Sequence, residues 1–180
     1  NRFKLNEIAG DHNHKEYHKY INDNFFTCSP NEVVEEAVSL NEFLGCKQSK
    51  KDTTVDIALV GDSQAEHLFL GLAEALKDKN VMYYMHSAFP LLDNDKYKKN
   101  FQHLLASDTI GAVILSGSPF DYLKLNQSHI TLENKILKTV NMLITSGKNV
   151  YFTDFVPQFP FGLARCMWPR WPFSKKCDID

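Results

Sequence analysis

The chain has 180 residues, 43% of them hydrophobic and 23% charged, with a formal net charge of -2. That balance suits one globular domain with a sizeable core. It gives no support for a nucleic-acid partner, which would need a basic stripe, and no apolar run approaches the roughly 18 residues of a bilayer-spanning helix.

Residues 1–50 are rich in His, Asn, Lys and Glu and poor in apolar residues. They read as a polar leader that packs on a following domain over 51–180. The start, Asn1-Arg2-Phe3-Lys4-Leu5, lacks the apolar centre of a signal peptide. The expectation is therefore a cytosolic chain, or a piece exported by another segment. Within the leader, Pro30 and the spacing of Val33, Val34, Ala37, Val38 and Leu40 predict a helix over Asn31 to Phe43.

From Val55 the pattern changes to alternating strand and helix. Val55 to Val60 is a short apolar run rich in β-branched residues, which predicts a strand buried on both faces of a parallel sheet. Gln64 to Asp78 predicts a helix facing inward through Leu68, Leu72, Ala75 and Leu76. Val81 to Met85 predicts a second strand, and Lys96 to Leu105 a helix with Tyr97, Phe101, Leu104 and Leu105 inward. Ala112 to Leu115 predicts a third strand. Ser128 to Ser146 predicts a long helix carrying Ile136, Leu137, Val140, Leu143 and Ile144, ended by Gly147. Val150 to Phe155 predicts a fourth strand, and after Pro157 the chain is a loop rich in Pro and aromatic residues. Alternation of this kind implies an α/β fold, a three-layer sandwich around a parallel sheet.

Cys28 and Cys46 bound one stretch, Cys166 and Cys177 another. Neither pair has the Cys-x-x-Cys spacing of a zinc site. Four cysteines allow three connectivities; the two local pairs are the simplest. Closing a loop of about 17 residues contributes roughly 3 kcal/mol in the chain-entropy model. Persistent disulfides imply an oxidising compartment, the alternative being four reduced thiols in a cytosolic protein. His12, His14 and His18 are read as part of the polar leader rather than as a metal site. The expectation is no metal and no cofactor.

The informative segment is Val55-Asp56-Ile57-Ala58-Leu59-Val60-Gly61-Asp62-Ser63-Gln64-Ala65-Glu66-His67. It puts Ser63 at the carboxyl end of the first predicted strand, where open α/β sheets bind ligands, and at a helix start whose N–H groups can stabilise an oxyanion. The bland alternative is a turn in which Asp62 or Ser63 is the helix N-cap. A serine hydroxyl needs a base to become nucleophilic. Of the histidines, His86 ends the second strand at the same sheet edge and is the better internal candidate. His67 lies one turn along the helix of Ser63, while His103 and His129 fall on predicted helices. The sequon Asn126-Gln127-Ser128 is weakly informative. Trp168, Trp171 and Phe173 suit either sugar stacking or packing of a closed loop.

Gly61-Asp62-Ser63 resembles block I of the SGNH (GDSL-like) hydrolase superfamily. More narrowly, the chain is similar to the extracytoplasmic SGNH domain fused to membrane acyltransferase-3 proteins. Gln64 stands where that group usually has His. His86-Ser87-Ala88-Phe89-Pro90-Leu91-Leu92 occupies the place of a Ser/Cys-Pro-Pro turn. Val156-Pro157-Gln158-Phe159-Pro160-Phe161, Arg165-Cys166 and Cys177 match the late Val-Pro-x-x-Pro-Phe…Arg-Cys…Cys stretch, and Cys28 and Cys46 match an upstream cysteine pair. The block III Asn is replaced by Leu115-Ser116-Gly117-Ser118-Pro119, as in the narrower group. The block V Asp-x-x-His, source of base and acid, is expected several dozen residues after the second cysteine, beyond Asp180, and none is expected within the chain. The resemblance then implies that base and acid lie beyond Asp180 or are missing.

The resemblance implies a flavodoxin-like SGNH fold and O-acyl transfer, commonly of acetyl, to a cell-surface carbohydrate acceptor. Ser63 would be the nucleophile, and a membrane acyltransferase domain would deliver the acyl donor. The Ser63 N–H, with backbone near Ser87 and Gly117, would form the oxyanion hole; the last two are expected from strand-end position alone. The location implied is extracytoplasmic, tethered to the inner membrane. Two rivals stand beside this: a free-standing carbohydrate acetyl esterase, and a non-catalytic carbohydrate-binding module on the same fold.

Overall fold

The computed structural model describes residues 12–28, 45–51, 54–119 and 129–153. The order of elements is α1 (His12–Asn24), β1 (Phe26–Thr27), β2 (Cys46–Gln48), β3 (Ile57–Gly61), α2 (Ser63–Ala75), β4 (Val81–Met85), α3 (Lys98–Ala106), β5 (Ala112–Ser116), α4 (His129–Thr145) and β6 (Asn149–Phe152), with a 3₁₀ turn at Asp95–Tyr97 before α3. One sheet of six strands runs β1-β2-β4-β3-β5-β6. The four strands read from the sequence, β3, β4, β5 and β6, are all parallel.

The sheet is not parallel throughout. β2 pairs antiparallel with β4, and β1 antiparallel with β2. Both come from the stretch read as a leader. They are 3 and 2 residues long, too short to show a strand period in sequence. The disulfide Cys28–Cys46, with Cα atoms 5.4 Å apart, ties the end of this ribbon together. The expected pair Cys166–Cys177, the helix over Asn31 to Phe43, the sequon at Asn126 and the aromatic loop after Pro157 lie outside the described residues.

Strand alternation divides the core into two layers. Leu59, Val81, Tyr83 and Met85 face α1 and α2 and pack with Ile21, Ala65, Phe69 and Ala73. Ala58, Val60, Met82, Tyr84, Val113 and Leu115 face the other way, against Phe101 and Leu104 of α3 and Leu143 of α4. Helices thus cover both faces, giving three layers. The inward face predicted for α3 holds, with Tyr97, Phe101 and Leu104 at 1% exposure or less. That predicted for α2 is rotated. Ala65, Phe69 and Ala73 are buried, whereas Leu68 is 38% exposed. Both sets have helical spacing; burial of Phe69 against Tyr83, ring centroids 4.8 Å apart, decides between them. On α4, Leu143 is buried but Leu137 and Ile144 are exposed. Gly147 ends this helix at φ 84, a left-handed conformation that glycine adopts without a steric penalty.

Candidate active site at the carboxyl edge of the sheet

β3 lies between β4 and β5, with Gly61 level with Met85 on one side and Ser116 on the other. Three chain segments therefore leave neighbouring strands, about 4.8 Å apart, at one height: Asp62-Ser63, His86-Ser87 and Gly117-Ser118. The main chain ties them: His86 N donates to Gly61 O at 3.0 Å, and Asp62 N to Ser116 O at 3.3 Å. The approach of β3 to β5 is so close that a Cβ on Gly61 would stand 1.5 Å from Ser116 O. No side chain fits there, which explains the glycine before Asp62.

Ser63 is the first residue of α2 and is exposed. Asp62 is the N-cap, and its Oδ1 accepts from Gln64 N at 2.8 Å. The N–H groups at a helix start have no partner within the helix. Here that of Asp62 reaches Ser116 O, that of Gln64 the cap side chain, and that of Ala65 the Asp62 carbonyl at 2.9 Å. Among the described residues, no hydrogen bond engages the Ser63 N–H.

Gly117, expected to border the site, is buried, and a Cβ there would lie 3.0 Å from Pro90 Cδ and 3.4 Å from both Asp62 Oδ2 and Phe89 Cδ2. The loops after β3, β4 and β5 thus meet around it. Ser87 is exposed, and its Oγ accepts from Lys96 Nζ at 3.1 Å. The link the sequence did not reveal is the second oxygen of Asp62, which accepts from Ser118 N at 2.7 Å. The N-cap was legible; a partner 56 residues away was not.

The histidines are distributed differently from expectation. His86 is 4% exposed. Its Nε2 lies 2.9 Å from Asn100 Oδ1, and its ring packs edge-on to Tyr97 at 4.7 Å. These partners belong to α3 and the turn before it, on the face of the sheet opposite α2, so the ring is committed to structure there. His67 is exposed, edge-on to Tyr17 at 6.0 Å. His103 is half-buried against Tyr84, and the side chain of His129 lies outside the described residues. His12, His14 and His18 all fall on α1. His18 Nδ1 lies 3.4 Å from Oε1 of Glu66, a carboxylate that is 3% exposed and also accepts from the Tyr83 hydroxyl at 3.3 Å. Burial, then Glu66, pushes the Tyr17 and Tyr83 hydroxyls well above the ordinary tyrosine range. One Asp-x-x-His does occur, Asp11-His12-Asn13-His14. This corrects the expectation that the chain carries none. Asp11 and the side chain of His14 lie outside the described residues.

A family model for the SGNH domain fused to AT3 domains matches residues 28–180. The chain belongs to this family. Membership assigns it to an esterase- or acyltransferase-type enzyme family and associates it with a membrane acyltransferase domain. The search of curated proteins gives no match. No helix among the described residues is long and apolar enough to cross a membrane.

Proposed function

We propose that this SGNH domain transfers an acyl group, acetyl in the first instance, to a hydroxyl of a cell-surface carbohydrate through an ester on Ser63. The observation that carries the reading is Ser63 itself: an exposed hydroxyl at the carboxyl edge of the parallel strands, on a helix start whose remaining N–H groups are engaged elsewhere. Ser63 Oγ attacks the donor carbonyl, and its proton passes to a general base. The Ser63 N–H, with backbone of the Ser87 and Gly117 loops, steadies the oxyanion. Collapse of the tetrahedral species expels the donor's leaving group, protonated by the same base, and leaves acyl-Ser63. The acceptor hydroxyl, deprotonated by that base, then takes the acyl group and frees Ser63.

The base is proposed to be the histidine of an Asp-x-x-His. In the family pattern it follows the second cysteine. The alternative is Asp11-x-x-His14, supported by the docking of α1 on the helix of Ser63. An extracytoplasmic location, with a linked membrane domain delivering the acyl donor, fits the Cys28–Cys46 disulfide.

The test measures release from an activated acetyl ester, and transfer to an added polysaccharide, by the full-length protein and its Ser63→Ala and His14→Ala variants. Removal of a triad nucleophile leaves only the about 10³–10⁴-fold residual of binding and oxyanion stabilisation. Ser63→Ala is expected to abolish both activities. Unchanged turnover in Ser63→Ala would reduce Ser63 to a helix-start residue. Hydrolysis with no transfer would favour the esterase, and carbohydrate binding with neither activity the non-catalytic module. Loss of activity in folded His14→Ala would support the base on α1, and full retention would exclude His14 as the base.

A further inference from the structure

We propose that Asp62 is a positioning residue: its carboxylate holds the head of α2 and the loop after β5 in one register, so that the Ser63 N–H and the Gly117 backbone converge on a single oxyanion position. This rests on the reading of Ser63 as nucleophile.

The two oxygens of Asp62 have separate partners on separate elements. Oδ1 accepts from Gln64 N at 2.8 Å, and Oδ2 from Ser118 N at 2.7 Å. Both are short N–H···O bonds, as expected when the acceptor is charged. The Asp62 main chain grips the same strand end, its N–H donating to Ser116 O at 3.3 Å. Ser63 and Gly117 follow these anchored points directly, and a Cβ on Gly117 would lie 3.4 Å from Asp62 Oδ2, in van der Waals contact.

A helix cap alone does not require a carboxylate, because Ser and Asn cap as well as Asp does. Here the two N–H groups arrive from different elements and each takes its own oxygen of the carboxylate. Asn offers one oxygen, and its NH₂ then faces the other N–H as donor against donor. Ser offers one oxygen on a shorter arm. Asp62→Ser therefore keeps the cap to Gln64 and releases Ser118, which separates positioning from capping.

The experiment compares the full-length protein with Asp62→Ser, Asp62→Asn and Ser63→Ala. It measures kcat and KM for p-nitrophenyl acetate, the rate of Ser63 labelling by an alkyl fluorophosphonate, and the melting temperature. A misplacement of ~1 Å costs up to about 100-fold in rate. Asp62→Ser and Asp62→Asn are expected to lower kcat and the labelling rate at least about 10-fold, with KM within about twofold and Asp62→Ser melting near the parent. Parental kcat in folded Asp62→Ser, or a change confined to KM, overturns the proposal. So does loss of folding in both variants, which would assign Asp62 to stability alone. If Ser63 fails to label in the parent, or Ser63→Ala turns over normally, the nucleophile reading falls and this inference with it. Labelling of Ser63 alongside a silent Asp62→Ser overturns the inference alone.

Discussion

The Tyr17 hydroxyl donates a 2.7 Å hydrogen bond to the main-chain carbonyl of Glu66, joining residues 49 positions apart. It fastens α1, which precedes the family-matched region 28–180, to the helix that begins at Ser63. Ile21, 1% exposed, completes the contact in the cluster around Phe69.

This docking has a measurable cost of removal. Tyr17→Phe keeps the ring and deletes one hydrogen bond, with an expected loss of about 1 kcal/mol. Ile21→Ala opens a cavity and is expected to lose about 2–5 kcal/mol. Urea unfolding reads both. Parental stability in Ile21→Ala would mean that α1 does not pack on α2 in solution.

The Cys28–Cys46 link is expected to contribute about 3 kcal/mol, by limiting the freedom of the unfolded chain. Replacing both residues by Ala should lower the urea midpoint accordingly. Peptide mapping without reductant should recover the joined peptides; two free thiols at these positions would remove the pairing.

Gly61→Ala forces a Cβ into the Ser116 carbonyl, which stands 1.5 Å from its ideal position. β3 and β5 must then part beside Ser63. A loss above about 3 kcal/mol is expected, together with loss of activity. A folded, active Gly61→Ala protein would show that this sheet edge is looser than described.

Burial raises the Tyr84 hydroxyl above its ordinary value of about 10, and burial followed by Glu66 does the same to Tyr83. A group whose pKa is higher folded than unfolded keeps its full stabilisation below the unfolded value and loses it as pH rises through the folded one. Stability should therefore fall above about pH 10. Tyr84→Phe should reduce that slope, because its side-chain oxygen is buried and titrates only at the cost of burying a charge. An alkaline limb unchanged in both Tyr83→Phe and Tyr84→Phe would refute this cause.

By itself the sequence determined the order of strands and helices from Val55 to Phe152 and the position of Ser63 after the first strand of that run. Runs such as Val81 to Met85 are apolar on both faces, so their period and length declare a buried strand locally. Gly61-Asp62-Ser63 was legible because a turn, a cap and a helix start are made by adjacent residues. The tertiary structure alone decided what depends on partners far along the chain. Tyr17 and Ile21 are too few apolar residues to announce α1, and only the surface of α2 makes them a core. Phe69, not Leu68, faces the sheet because Tyr83 lies there. His86 looked available at a strand end, but Asn100 and Tyr97 occupy it from α3 and its leading turn. Asp62 reads as a cap, and its hold on Ser118 exists only because β5 returns beside β3. Local hydrogen bonds and hydrophobic period are written in neighbouring residues; the choice among equally spaced faces and the second partner of a carboxylate are set by long-range packing.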